Sequence, residues 1–273
     1  MTLYFKTLMH QLKAETTTAN QIHYEYTDYE PVYIYENKDY VWLTFSDDPL
    51  CEVAIQGVMS KAKPEQVHLP VNQSMLLFLL TPASYTRILN MGLGTAGVER
   101  TLRYIERNPL YLNSIQQFDT VEINSGVINA AKKYFKLPSN HTVYQQCAEQ
   151  FIGQCTSSYD VINIDIFNGN HHLAFIKDDY FWQGINNCLE ENGQVVINLN
   201  PNTDQDLQML LELLRSYFTC IALIEFNEYR NIVLILSHFS LKHITVEAIH
   251  GSNLMQVIAP NLHNNIKTIY HIE

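Results

Sequence analysis

The chain has 273 residues, of which 28 are acidic and 17 are Lys or Arg, and its net charge is −11. This charge argues against a general nucleic-acid-binding protein, which needs a basic face to replace phosphate counterions. Hydrophobic residues make up 47% of the chain, which is enough to bury a sizeable core and excludes disorder as the dominant state. The expected partners are cationic or neutral small molecules, with no nucleic acid and no membrane.

The cysteines and the first residues bear on the cellular compartment. Five cysteines lie far apart without a CxxC pair, and the adjacent His171 and His172 lack further ligand spacing, so neither a metal site nor a disulfide framework is predicted. The first twenty residues lack the apolar core and cleavage site of a signal peptide, and no window approaches 18 apolar residues. We expect a cytoplasmic protein without a membrane anchor.

Residues 1–70 are predicted to form an N-terminal region that contains a small antiparallel β-domain. An amphipathic helix is predicted near residues 3–12, and the polar stretch after it receives no assignment. Short β-like runs follow, separated by turn formers at hairpin spacing, and they cover residues 32–35, 40–45 and 51–56.

Residues 71–273 are predicted to form a Rossmann-like domain that binds an adenosyl ligand. A buried helix is expected over residues 73–80, after which apolar runs alternate with helix-length amphipathic segments, as in a mostly parallel sheet covered on both faces. Only about four residues, 227–230, separate the last two predicted strands, so these strands must be antiparallel neighbours. The pattern indicates an α/β methyltransferase fold, with a mostly parallel seven-stranded sheet that ends in an antiparallel hairpin. Residues 240–273 receive no assignment.

Two motifs at the ends of consecutive predicted strands together predict an adenosyl site. Gly92, Gly94 and Gly97 follow a predicted strand and open a helix, where the chain must turn tightly and approach a ligand. Glu122 ends the next strand, where a carboxylate can accept hydrogen bonds from both ribose hydroxyls. A purely structural tight turn and a solvated carboxylate are the alternatives.

Two later strand ends complete the predicted site. The segment at residues 146–149 follows the third strand, beside the expected position of the adenine ring. Asp165 follows the fourth strand and is aimed at the centre of the site, where a carboxylate can accept a proton from an amine. A helix cap or loop turn is the alternative role for Asp165.

The order and spacing of these motifs resemble the spermidine synthase (polyamine aminopropyltransferase) family, in particular its bacterial spermidine synthase-like branch. The resemblance runs from about residue 31 to 236 and rests on segments 42–45, 89–94, 121–123, 159–162, 165–169, 180–181 and 192–197. It implies decarboxylated S-adenosylmethionine as donor, methylthioadenosine as product, a diamine as acceptor, no metal and a homodimer.

By the same resemblance, Asp165 matches the catalytic carboxylate that deprotonates the attacking amine, and Gln56 approaches the sulfur end of the donor. The implied donor-binding residues are Gln56, Gly92, Gly94, Gly97, Glu122, Ile123, Cys147, Ala148 and Glu149. Cys147 stands where the family usually has Asp.

Three further departures bear on the acceptor. Val71, Thr95 and Asn168 stand where the family has Tyr, Asp and Asp, and the loss of two anionic partners weakens a site for a polycation. Adenosyl binding is therefore better supported than polyamine synthesis. Three functions stay open: aminopropyl transfer, methyl transfer from S-adenosylmethionine, and non-catalytic adenosyl binding.

Overall fold

The computed structural model describes residues 3–47, 54–81, 85–108, 115–168, 171–172 and 174–273. A four-stranded antiparallel sheet comes first, with strand order β1-β2-β3-β4. Its elements are α1 (Leu3–Ala14), β1 (Gln21–Glu25), β2 (Val32–Glu36), β3 (Tyr40–Thr44) and β4 (Ile55–Ser60). The small antiparallel sheet predicted for this region is thereby confirmed.

Helix α1 covers one face of this sheet. Phe5, Leu8 and Leu12 bury their side chains in a cluster with Trp42 and Tyr35. The indole Nε1 of Trp42 donates a hydrogen bond to Thr16 Oγ1 at 3.0 Å, just beyond the end of α1. Burial of this apolar stripe gives the helix its stability, since short helices are marginal alone.

Three predicted elements of this part of the chain differ in the structure. Strand β1 received no assignment from the sequence because it is an edge strand whose side chains are only half-buried or exposed. Strand β4 begins at Ile55, whereas the prediction placed a strand at residues 51–56; residues 51–53 lie outside the described part. The helix expected over residues 73–80 is a shorter helix, α2 (Pro70–Ser74), followed by a 3₁₀ turn at Leu77–Leu80.

The early start and end of α2 have local causes. Pro70 fits the first helical position, where no backbone N–H is needed. The hydroxyl of Ser74 donates to the Pro70 carbonyl at 2.9 Å, a bond within the turn that competes with regular helix continuation.

A larger sheet of eight strands follows, with order β14-β12-β13-β11-β8-β5-β6-β7. Its strands are β5 (Arg87–Met91), β6 (Gln117–Glu122), β7 (Thr142–Gln145), β8 (Tyr159–Ile164), β11 (Leu189–Leu199), β12 (Cys220–Phe226), β13 (Ile232–Ser237) and β14 (Ile266–Ile272). A separate two-stranded pair consists of β9 (Phe167–Asn168) and β10 (His171–His172). The helices are α3 (Gly97–Arg107), α4 (Ser125–Tyr134), α5 (Ala148–Gln154), α6 (Asp179–Cys188), α7 (Asp204–Arg215), α8 (Val246–Gly251), α9 (Asn253–Ile258) and α10 (Leu262–Asn265).

The strand order confirms the predicted fold. Strands β7, β6, β5, β8 and β11 are parallel neighbours. Strand β13 lies between β11 and β12 and runs antiparallel to both, so the last two predicted strands form the expected hairpin. An eighth strand, β14, adds to the predicted seven and pairs antiparallel with the outer edge of β12.

Two apolar clusters lie on the two faces of the large sheet. The strands contribute runs of buried residues, as sheets covered on both faces require. Within the described residues, no helix is long and apolar enough to span a membrane. The division of the chain at residues 70 and 71 stays a prediction.

Candidate functional site

A cavity of about 310 Å³ lies between the small sheet and the carboxyl ends of the parallel strands. In open α/β sheets, ligands bind at this edge. Nine of the ten residues predicted for the site line this cavity: Gln56, Gly92, Gly94, Gly97, Glu122, Ile123, Cys147, Ala148 and Asp165.

The tenth residue, Glu149, does not line the cavity. It lies in the first turn of α5, a helix absent from the sequence prediction, and Cys147 is the N-cap of this helix. Two of the family departures, Val71 and Thr95, also line the cavity. The backbone of the third, Asn168, belongs to β9.

The turn after β5 requires glycine at two of its three glycine positions. Gly92 has φ +97°, and a Cβ there would lie 2.1 Å from the carbonyl oxygen of Asp165. Gly94 has φ +49°, and a Cβ there would point into open space, so its missing side chain leaves room on the cavity side. Gly97 is different, because a Cβ would meet Val67 at an ordinary 3.6 Å.

Glu122 is held by backbone donors. Its Oε2 accepts a hydrogen bond from the Leu93 N–H at 3.0 Å, and its Oε1 accepts one from the Asn124 N–H at 2.8 Å. Burial raises the pKa of the Glu122 carboxyl above its ordinary value, while these backbone donors oppose the rise. The carboxylate is therefore fixed next to the glycine turn, with its orientation set by the main chain.

Asp165 is held by side-chain amides. Its Oδ2 accepts a hydrogen bond from Asn72 Nδ2 at 2.8 Å, and its Oδ1 accepts one from Asn198 Nδ2 at 2.8 Å. Asn231 Nδ2 in turn donates to Asn198 Oδ1 at 3.0 Å. Burial raises the pKa of the Asp165 carboxyl, and the two amides partly offset this rise. A carboxyl with a raised pKa is a better proton acceptor than an ordinary one once it is ionised.

These asparagines were missed by the sequence analysis. Asn198 and Asn200 flank the carboxyl end of β11, so the rule that placed Asp165 also applies to them. Asn72 lies on α2 and Asn231 directly before β13, and no local pattern marks either of them.

Arg100 supports the glycine turn from behind. The guanidinium is buried and donates to three backbone carbonyls, through Nη1 to Thr95 and, at 2.7 Å, to Phe135, and through Nε at 2.7 Å to Pro64. Burial lowers the pKa of Arg100 to about 10, so the group remains charged at neutral pH. Its bonds join the turn to the end of α4 and to the segment before α2.

His68 is a second buried group in the cavity wall. Burial, helped by the charge of Arg100, lowers the pKa of His68 to about 4. The imidazole is therefore neutral at physiological pH, and its Nε2 has no hydrogen-bond partner among the described residues. Across the part of the chain that the structure describes, no group of three or more His, Cys, Asp or Glu is placed to hold a metal ion.

The sequence is similar to those of polyamine aminopropyltransferases. It is 27% identical over 168 residues to the enzyme of Neisseria meningitidis serogroup A, an alignment that covers 60% of this chain and 61% of the relative. It is 26% identical over 206 residues to the enzyme of Pectobacterium carotovorum, covering 70% and 63%. The chain thus aligns with about three fifths of the length of these relatives. No protein-family model matches it.

The fold is shared with solved spermidine synthases. The crystal structure of a probable spermidine synthase from Corynebacterium glutamicum superposes with a TM-score of 0.68 at 16% identity, covering 92% of this chain and 90% of that one. A spermidine synthase solved in complex with the transition-state analogue AdoDATO gives 0.61 at 18% identity, covering 86% and 80%. By sequence this chain is similar to the polyamine aminopropyltransferases, which are transferases, and by fold it is similar to the spermidine synthases.

Proposed function

We propose that the protein transfers an aminopropyl group from decarboxylated S-adenosylmethionine to an amine. The observation that carries this proposal is the charge of the cavity wall. Three carboxylates line the cavity, Glu30, Glu122 and Asp165, and no Lys or Arg side chain does so among the described residues. A wall of this kind favours a ligand that carries only positive charge, as the sulfonium and propylammonium of this donor do.

The predicted donor residues fit an adenosyl group. Glu122, fixed by two backbone N–H groups, has the remaining acceptor capacity to bind ribose hydroxyls. The open space beside Gly94 leaves room for the donor to approach the backbone. Gly92, Gly97, Gln56, Ile123, Cys147 and Ala148 line the same cavity, which supports their assignment to the donor.

Asp165 is proposed as the proton acceptor. The lone pair of the amine nitrogen forms a bond to the propyl carbon next to sulfur, and the carbon–sulfur bond breaks with its electron pair staying on sulfur. The sulfonium becomes the neutral thioether methylthioadenosine. The nitrogen gives one proton to the Asp165 carboxylate, which must be ionised to accept it.

Calorimetry tests the donor. Decarboxylated S-adenosylmethionine, S-adenosylmethionine and methylthioadenosine are titrated in parallel into the full chain. We expect a clear preference for the decarboxylated compound, because the intact methionine carboxylate would face a wall of like charge. Equal binding, or no binding, would contradict the proposal.

Methyl transfer is the second candidate function. The observation that favours it is the uncharged side chain of Thr95. This buried side chain in the cavity wall is uncharged, so it does not repel a methionine carboxylate as an acidic residue would. Tighter binding of S-adenosylmethionine than of its decarboxylated form in the same titration would select this function.

We also propose a homodimer in the reducing cytoplasm. Edge strand β1 and the residues after it carry exposed apolar side chains, with Ile22 40%, Tyr24 48% and Tyr26 78% exposed. An edge of this kind is a natural site for a second copy. The four described cysteines are free thiols, which supports a reducing compartment.

Light scattering tests the dimer. The mass should be twice the 31.6 kDa of the monomer, and Tyr24→Lys should reduce it. Tyr180→Lys is the matched control, because Tyr180 is 62% exposed on α6, away from β1. A monomer at micromolar concentration contradicts the dimer.

A further inference from the structure

One end of the cavity is lined by amides around a single carboxylate. We define the acceptor end as the wall formed by Asp165 with Asn72, Asn198, Asn200, Asn231 and Tyr229. Asn72 and Asn198 contact the two carboxylate oxygens, and Asn231 contacts Asn198. The other two residues contribute an amide and a phenol to the same wall.

The other two carboxylates of the cavity lie beyond the glycine turn, because Glu122 ends β6, Asp165 follows β8, and β5 lies between these two strands. Glu122 is bound to the Leu93 and Asn124 backbone N–H groups. Glu30 lies near it, because its main-chain oxygen accepts a hydrogen bond from Asn124 Nδ2 at 2.9 Å and its charge contributes, after burial, to the raised pKa of Glu122. Asp165 is therefore the only charged side chain at the acceptor end, counting the residues that the structure describes.

This charge distribution discriminates between acceptors. A diamine brings two ammonium groups, of which Asp165 can neutralise the one that attacks. Among the described residues of this wall the second would find no anionic partner, and moving an ammonium out of water without one is unfavourable. A hydroxyl or amide in the same place would instead find amide and phenol groups that both donate and accept hydrogen bonds.

We propose that the acceptor is an amine whose far end is uncharged and polar, as in an amino alcohol, and not a diamine. This inference rests on the proposed aminopropyl transfer and specifies its second substrate. Asn198, Asn200 and Asn231 then act as specificity-determining residues, because they surround Asp165 with hydrogen-bonding capacity and carry no charge.

A panel of three acceptors of nearly equal length tests the proposal. The full chain is incubated with decarboxylated S-adenosylmethionine and 4-amino-1-butanol, 1,4-diaminobutane or 1-aminopentane, and methylthioadenosine release is measured. We expect kcat/KM for the amino alcohol to exceed that for the diamine by about tenfold or more, since an unpaired buried ammonium is costly. The alkylamine should also react more slowly, because it leaves the amides without a polar partner.

A variant that adds a negative charge at the acceptor end provides a second test. Asn200→Asp adds a carboxylate at the acceptor end and should raise the diamine to amino alcohol ratio of kcat/KM by about tenfold. Asn202→Asp is the matched control, because it makes the same charge change at an exposed position two residues further on and outside the cavity wall. The control should leave the ratio unchanged.

Each outcome has a distinct meaning. A preference for the diamine or the alkylamine overturns the inference and leaves aminopropyl transfer standing. A donor that binds but reacts with none of the three amines also overturns the inference. A donor that does not bind in calorimetry contradicts the proposed function itself. An equal rise of the diamine ratio in both Asp variants would show a general charge effect and would overturn the assignment to the acceptor end.

Discussion

The two ends of the cavity are held by different kinds of hydrogen bond. At the end formed by the glycine turn and Glu122, which is the donor end of the proposed function, Glu122 accepts from the backbone N–H groups of Leu93 and Asn124. At the acceptor end, Asp165 accepts from the side-chain amides of Asn72 and Asn198. Backbone donors are fixed by the fold and survive most substitutions, whereas each side-chain donor can be removed by one. Under the proposed function, donor recognition therefore follows from the backbone of the fold, while acceptor recognition depends on a few replaceable side chains.

The largest effect is expected for a substitution at Asp165, which should reduce the rate of the reaction without weakening donor binding. Asp165→Asn should lower turnover by about 100-fold or more, since general-base contributions run to about 10² to 10⁴. Donor affinity, measured by calorimetry, should be nearly unchanged because Glu122 and the glycine turn are intact. Unchanged turnover in a folded variant would remove Asp165 from the reaction and leave it a structural role.

Glu122→Ala should weaken donor binding. Charge-assisted hydrogen bonds to the ribose would be lost, so donor binding should weaken by about 2 to 4 kcal/mol. Calorimetry with decarboxylated S-adenosylmethionine measures the change, and circular dichroism checks that the variant is folded. The same dissociation constant as in the unmodified chain would move the donor site elsewhere.

A matched pair of glycine variants tests which positions of the glycine turn exclude a Cβ. Gly92→Ala should reduce the free energy of unfolding by about 2 kcal/mol or more, because its positive φ and the 2.1 Å approach to the Asp165 carbonyl both exclude a Cβ. Gly97→Ala should change it little, since the new Cβ would make an ordinary contact with Val67. Urea unfolding measures both, and equal losses would contradict the distinction between the two positions.

The smallest effect is expected for Asn198→Ala, which should change the pH dependence of activity. Asn198→Ala removes one donor that favours the ionised form of Asp165, so the pKa of this carboxyl should rise further above its ordinary value. Because the base must be ionised, activity is lost as pH falls through this pKa. The acid limb of kcat/KM should therefore move to higher pH.

Asn231→Ala is the control for this pH profile. Asn231 donates to Asn198 and, among the hydrogen bonds of the described residues, makes none to the carboxylate itself, so Asn231→Ala should move the acid limb less than Asn198→Ala does. A variant that lowers activity equally at every pH would indicate a purely structural role for Asn198.

The predictable part of the site follows from strand ends. The glycine turn and Asp165 each come directly after a strand of the large sheet, and Glu122 is the last residue of another. Local pattern and the topology of parallel sheets were therefore sufficient to bring them together. The antiparallel final hairpin followed in the same way, from the short connection at residues 227–230.

The rest of the site depends on distant parts of the chain. Asn72 contacts Asp165 across 93 positions of sequence, and Arg100 reaches the Phe135 carbonyl across 35. Such contacts leave no periodic or local signal. Glu149 shows the converse, because α5 begins at Ala148 and places Glu149 outside the cavity wall. Likewise, β14 is a half-exposed edge strand without a continuous apolar run.

The three-way contact of Arg100 has a consequence for the dynamics of the cavity. The guanidinium joins the Thr95, Phe135 and Pro64 carbonyls, which belong to the glycine turn, the end of α4 and the segment before α2. Moving any one of these segments away from Arg100 breaks one charge-assisted bond, which costs about 1.5 to 3 kcal/mol. At that cost, fewer than about one molecule in ten has the segment displaced at a given moment. The glycine turn is therefore held in place before any ligand binds, and its backbone amides should exchange their hydrogens with solvent slowly in the protein alone.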